Sequence, residues 1–144
     1  MKLKSLFQFV SIFLLVGCYT NTVSELRNDP ASFDGVIQVD RTPEDTYRVL
    51  REMARECLEQ APLGTPVVSE GDFDSLIRTG QIRQRMTAQG VLLYMTVIDV
   101  SLNEQERTSL KLYTMKGSKP IGVHRPTKAD LVRWINGNKK CWAK

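Results

Sequence analysis

Apolar positions along this chain follow three different rules in turn. A mostly apolar run, broken by Gln8 and Ser11, covers residues 6–16, a helical period covers 42–61, and β-type runs fill 65–115. In the helical stretch Tyr47, Leu50, Met53, Ala54, Cys57, Leu58 and Ala61 recur every three or four residues. Arg48, Arg51, Glu52, Arg55, Glu56 and Glu59 take the other sides. Thr42 is the expected N-cap, Pro43 suits the first helical position, and Glu44 and Asp45 face the positive end of the helix dipole. Pro62 and Gly64 end the helix. Before it, Val36-Ile37-Gln38-Val39 reads as a short strand. After it, Val67-Val68 and residues 81–87, 91–102 and 108–115 read as strands, with turn signals at Gly80, Gln89-Gly90 and Asn103-Glu104-Gln105-Glu106. The run at 91–102 is the most apolar. It carries Leu92, Tyr94, Ile98 and Val100 on one side and Val91, Leu93, Met95 and Val97 on the other, as a central strand covered on both faces would. Residues 72–79 fit a turn or a short helix. A second helix is expected after Thr127, with Asp130 completing the cap, Leu131, Val132, Trp134 and Ile135 as its apolar face and Gly137 as its stop. The order predicts an α+β fold, a two-layer antiparallel β-meander of four to five strands packed by one long helix and one short C-terminal helix.

Lys2 and Lys4 precede the N-terminal apolar run, whose length fits a secretory signal and falls short of the about 20 residues that span a bilayer. The run ends in Leu15-Val16-Gly17-Cys18, which resembles the lipobox of bacterial lipoprotein precursors. The resemblance implies cleavage before Cys18, a diacylglycerol on its thiol, and attachment to a membrane through N-terminal lipid. Several acyl chains, at about 0.8 kcal/mol per buried methylene, make such an anchor effectively permanent. Tyr19 stands where an aspartate would signal inner-membrane retention, so the resemblance further implies the outer membrane, with the domain facing the periplasm. The expected division is a signal peptide over 1–17, a lipidated flexible tether over 18–34, and a single globular α+β domain over 35–144. The tether expectation rests on a polar segment with Asn28-Asp29-Pro30 and no sustained periodicity. In element order alone the domain resembles helix-grip domains, which occur in small ligand-binding proteins and in lipoprotein subunits of outer-membrane assembly machinery.

With Cys18 carrying lipid, Cys57 and Cys141 remain as an even pair in an oxidising compartment, and a disulfide between them is expected. The alternative is two small buried side chains that never meet. Charge is uneven: residues 116–144 hold eight Lys or Arg against one acid, whereas residues 18–60 hold nine acids and five Arg. A disulfide would bring Glu56 and Glu59 near Lys139 and Lys140, so that the basic tail meets the acidic helix of the same molecule. The other reading is a basic surface for an anionic ligand. No recognition motif points to nucleic acid.

His124 is the sole histidine, and no G-x-S-x-G turn or free nucleophilic cysteine accompanies it, so the chain is expected not to be an enzyme. No cofactor and no metal are expected. Glu70, Asp72 and Asp74 resemble the start of a calcium loop but lack its continuation, and are expected in a solvated acidic turn. His124, Arg125 and Lys128, with Lys119 nearby, are the anion-binding candidates, because amides at a helix start would add to their charge. Tyr47, Met53, Tyr94 and Met95 are candidate lining for a lipid or small amphiphile between the long helix and the sheet. Trp134 is expected in the core and Trp142 at the surface beside Lys139, Lys140 and Lys144. The leading expectation is an outer-membrane-anchored lipoprotein that binds another envelope protein or supports envelope assembly. The second is an amphiphile binder, and the oligomeric state is left open.

Overall fold

A computed structural model describes residues 21–117 and 122–142; the expected signal peptide and Cys18 lie outside the described residues. The elements are α1 (Val23–Asn28), a 3-10 turn at Pro30–Ser32, β1 (Phe33–Val39), α2 (Pro43–Leu58), a 3-10 turn at Pro62–Gly64, β2 (Val67–Asp74), β3 (Thr79–Ala88), β4 (Val91–Leu102), β5 (Thr108–Thr114) and α3 (Lys128–Ile135). Five antiparallel strands form one sheet in the order β1-β5-β4-β3-β2. Strands β2 to β5 are a meander, and β1 closes back onto its last member.

The expected caps form. The Asp45 amide donates to Thr42 Oγ1 at 3.1 Å, and Thr127 and Asp130 make a reciprocal capping box. The stripe of α2 then buries Leu50, Met53, Ala54, Cys57 and Leu58 against Ile82, Ile98, Val100, Leu110 and Leu112 of the sheet. Leu131, Trp134 and Ile135 of α3 complete the same core, at about 1.5–3 kcal/mol for each fully buried large apolar side chain. Cys57 and Cys141 lie at disulfide distance, with Sγ atoms 2.14 Å and Cα atoms 5.2 Å apart, tying the end of α2 to the tail beyond α3. That tail meets α2 as expected in sign, but its ion pair is Lys139 with Glu52 at 2.6 Å, and Glu56 acts on Lys139 only through its charge. Glu59 instead accepts from Ser69.

Several expectations are corrected. Residues 72–79 are the end of β2, a turn and the first residue of β3, with Asp74 Oδ1 accepting from the Leu76 amide at 2.8 Å. Gly80 is therefore not a turn residue but a packing one. A Cβ there would lie 2.7 Å from the rings of both Tyr47 and Phe73, which meet over that point of the sheet. In β4, Gln84 opposes Thr96 while Arg85 opposes Tyr94, so Met95 is an inserted bulge residue. Directly opposed residues share a face, so Leu93 lies on the face of Ile98 and Val100, and Tyr94 on the face of Val97. The expected grouping of Leu92 and Tyr94 with Ile98 is thus reversed at Met95. Trp142 is half-buried rather than exposed, set edge-on to Trp134 at 6.3 Å.

The flexible tether is also corrected from Asn21 onward. Thr22 and Glu25 cap α1 reciprocally, and Leu26 is buried at 3 % exposure beside Val97 and Met115. The Asn21 amide group donates to the Tyr94 carbonyl at 2.8 Å and accepts from its N–H at 2.7 Å, taking the place of a neighbouring strand. A six-residue helix with one buried leucine is too short to show a period, which is why the pattern reads as polar linker.

Leu26→Ala is expected to lower unfolding free energy by about 2 kcal/mol or more in urea titrations, since a buried leucine leaves a cavity; a flexible tether would make the change neutral. Replacing Cys57 and Cys141 together by serine should cost about 2–4 kcal/mol, against an entropic ceiling of about 4.5 kcal/mol for a loop of this length. Identical urea midpoints with and without the pair would contradict that linkage.

Candidate functional site

The sheet face turned away from α2 is polar and organised by charge. Glu70 and Asp72 stand on it from β2, each reaching diagonally to β3: Arg85 meets Glu70 at 2.5 Å and Arg83 meets Asp72 at 2.8 Å. Glu70 and Asp72 thus sit along a strand as ion-pair partners rather than in the solvated turn expected of them, whereas Asp74 is exposed and does enter the turn, through the Leu76 amide. Further along the face, Arg27 of α1 grips Asp99 with two bonds at 2.9 and 2.6 Å, and Gln81 adds a third at 3.3 Å. The hydrogen bond from Arg85 holds the Glu70 carboxyl below its ordinary value, as Arg78 does for Glu44 and Lys139 for Glu52.

A second feature lies where β1 begins and β5 ends, beside the start of α3. The β1–β5 register slips at Asp34, between Phe33 and Gly35, and Gly35 adopts φ +118°, which favours glycine. The slip turns the Asp34 carboxylate toward Thr114 and Lys116, both of which donate to it. Arg125, half-buried, donates to the Met115 carbonyl. Lys128 lies over Gly35, where a Cβ would come 3.0 Å from its Nζ. Together with Thr114 and Thr127 these residues border a groove of about 390 Å³. Burial pushes the Arg125 guanidinium below its ordinary value, and the charge of Asp34 opposes that shift.

The sequence candidates are therefore divided. Arg125 and Lys128 share the groove, but the His124 ring stacks on Trp142 at 4.7 Å. Two of the amides at the start of α3 are committed to its capping box, because Asp130 accepts from the Thr127 N–H at 2.9 Å and Thr127 accepts from the Asp130 N–H. Lys119 lies outside the described residues. Asp34 and Lys116 escape a reading of the sequence, since only the pairing of β1 with β5 brings them to the groove. The proposed pocket lining is not brought together either. Met53 belongs to the main core, Met95 packs with Val67 and Val123, Tyr94 packs on the opposite face near Leu26, and Tyr47 lies against Phe73.

Lowered carboxyl values in Glu44, Glu52 and Glu70 mean that the folded form binds protons less readily than the unfolded chain. Their stabilisation is complete above the ordinary value of 4.5 and is lost as pH falls through the folded values. Calorimetry should show a Tm that is flat from about pH 7 to about pH 5.5 and falls below about pH 4.5. The pairs are solvent-exposed, so the fall should be modest and shallower in 1 M salt, at a screening length of about 3 Å. Arg85→Gln should flatten it too, and an acid limb indifferent to both salt and this substitution would refute the assignment.

No protein-family model matches the chain, and no curated protein or solved structure matches it either.

Proposed function

We propose that this chain is a non-enzymatic lipoprotein, anchored in the outer membrane through Cys18 and facing the periplasm, whose domain binds an envelope protein or supports envelope assembly. In the same reading, the order β1, α2, meander, α3 is a two-layer helix-grip arrangement. The supporting observation is the fixing of Asn21 to both backbone polar groups of Tyr94. Only three peptide steps separate Asn21 from Cys18, a reach of about 10 Å. A lipid on Cys18 would therefore hold the β3–β4 turn end of the sheet at the bilayer with almost no slack.

The opposite end carries the turn between β2 and β3, where Leu76 and Ile77 are 92 % and 65 % exposed. Ten residues of β3 set that turn about 33 Å from the anchored end. An exposed aliphatic pair held away from the bilayer suits contact with protein rather than with lipid. That placement supports an interaction role over a purely structural one.

Mass spectrometry of the cell-derived protein should find a chain that begins at Cys18 and carries acyl mass. Cys18→Ala should abolish the acyl mass, leave residues 1–17 attached and keep the chain out of the outer-membrane fraction; an unmodified Cys18 would sink the anchoring reading. A photocrosslinking residue at position 76 should trap one discrete envelope protein, and Ile77→Asp beside it should abolish the adduct.

A further inference from the structure

We propose that the groove between the end of β5 and the start of α3 binds the phosphate of an anionic lipid headgroup through Arg125, Lys128 and Lys116. The lipid source rests on the anchoring reading above, whereas the anion chemistry rests on the groove alone. Three cations and one carboxylate, Asp34, border the space. Asp34 is already engaged by Lys116 and by the Thr114 hydroxyl. Among the described residues neither Arg125 nor Lys128 has a carboxylate partner, whereas Arg27, Arg48, Arg78, Arg83, Arg85 and Arg133 each have one.

Arg125 carries the argument. A guanidinium has five N–H donors in a planar fork that matches a phosphate, and here the protein bond is one to the Met115 carbonyl. Holding a half-buried cation beside a neutral carbonyl, with Asp34 acting on it only at a distance, leaves its desolvation partly uncompensated. A bound phosphate supplies the missing charge and accepts the remaining donors in charge-assisted bonds. Lys128 extends over Gly35 toward the same space, and the absence of a Cβ at residue 35 is what lets its stem lie there. Asp34 has a second effect: by holding Lys116 it lowers the positive charge of the groove and sets a limit on affinity.

Position selects the lipid headgroup. The Met115 amide donates to the Met95 carbonyl at 2.8 Å, and the preceding residue of β4, Tyr94, is the one that Asn21 grips. Met115 also packs with Val23 and Leu26 of α1. The groove therefore opens at the end of the sheet where the chain arrives from Cys18. Electrostatic attraction to a negative surface would then orient the domain.

The test uses the full chain in nonionic detergent micelles, with backbone amide shifts of Lys116 and Lys128 followed by NMR during titration. Short-chain phosphatidylglycerol should give a saturable shift and phosphatidylcholine should give none. Lys128→Gln, an exposed substitution that spares the core, should raise the half-saturation about fivefold, and Arg125→Gln at least as much, as expected when a charge-assisted bond is lost. Asp34→Asn should lower it. A missing response to phosphatidylglycerol, or one unchanged by Lys128→Gln, overturns the site. Inorganic phosphate that saturates the shift as readily as the lipid overturns the headgroup assignment. Cys18→Ala should titrate like the parent chain, so an unlipidated Cys18 and an empty groove give different results.

Discussion

A single sheet has two faces, and this chain has helix enough to cover one. Everything apolar and continuous is turned to the face under α2 and α3, where Leu50, Leu58, Ile98, Leu110, Leu112, Leu131 and Trp134 are almost wholly removed from water. Covering that face with a long and a short helix requires the two to be held side by side, and the Cys57–Cys141 pair and the Lys139–Glu52 contact both join them. The uncovered face obeys the opposite requirement. Its Arg83, Arg85, Glu70 and Asp72 are soluble and pair diagonally across strands, while Asp99 is held by Arg27 of α1. Exposed pairs of this kind contribute at most about 1 kcal/mol each, so their main effect is on register and solubility. The apolar remainder of that face, around Val97 and Tyr113, is what α1 covers with Leu26.

The helical cover runs out before the sheet does, and a buried amide deals with the gap. Gln84 is fully buried in β3; its Nε2 donates to the carbonyls of Leu58 at 3.2 Å and His124 at 2.8 Å, and its Oε1 accepts from the Thr96 hydroxyl at 3.0 Å. An unsatisfied amide at that depth would cost about 1–3 kcal/mol, so the three partners are fixed relative to one another. They are the last residue of α2, the segment leading into α3, and β4 beside its bulge. The bulge at Met95 then turns that side chain into the space beyond the helix, against Val67 and Val123. Since Arg125 follows directly on His124, the guanidinium of the groove is placed by a core hydrogen bond.

How much of this could be read from the sequence depends on the range of the interaction concerned. The N-caps of α2 and α3, the α2 stripe, the five strands and the cysteine pair are local signals or simple parities, and each survives in the structure. Element α1 was invisible because one leucine and one asparagine do its work, the latter by imitating a strand. The bulge was invisible because a run that is apolar on both sides gives no parity to contradict. Gly80 misled for a related reason: glycine marks a turn or a close approach equally well, and only the position of Tyr47 decides between them. The groove needed the β1–β5 pairing, a contact across about half the chain, before Asp34 and Lys116 could be placed beside Arg125.

The uneven charge of the sequence takes on a different meaning once these contacts are known. Neutralisation inside the molecule accounts for part of the basic C-terminal region, through Lys139 with Glu52 and Arg133 with Asp130. Both pairs lie on the helical cover. Arg125 and Lys128 lie instead where the sheet meets the incoming chain, beside a Lys116 that Asp34 already holds, and among the described residues Asp34 is the one acid bordering their groove. Internal pairing and an outward basic surface were competing explanations of one asymmetry; the structure divides the residues between them, because α2 carries its acids along a face that the groove does not touch.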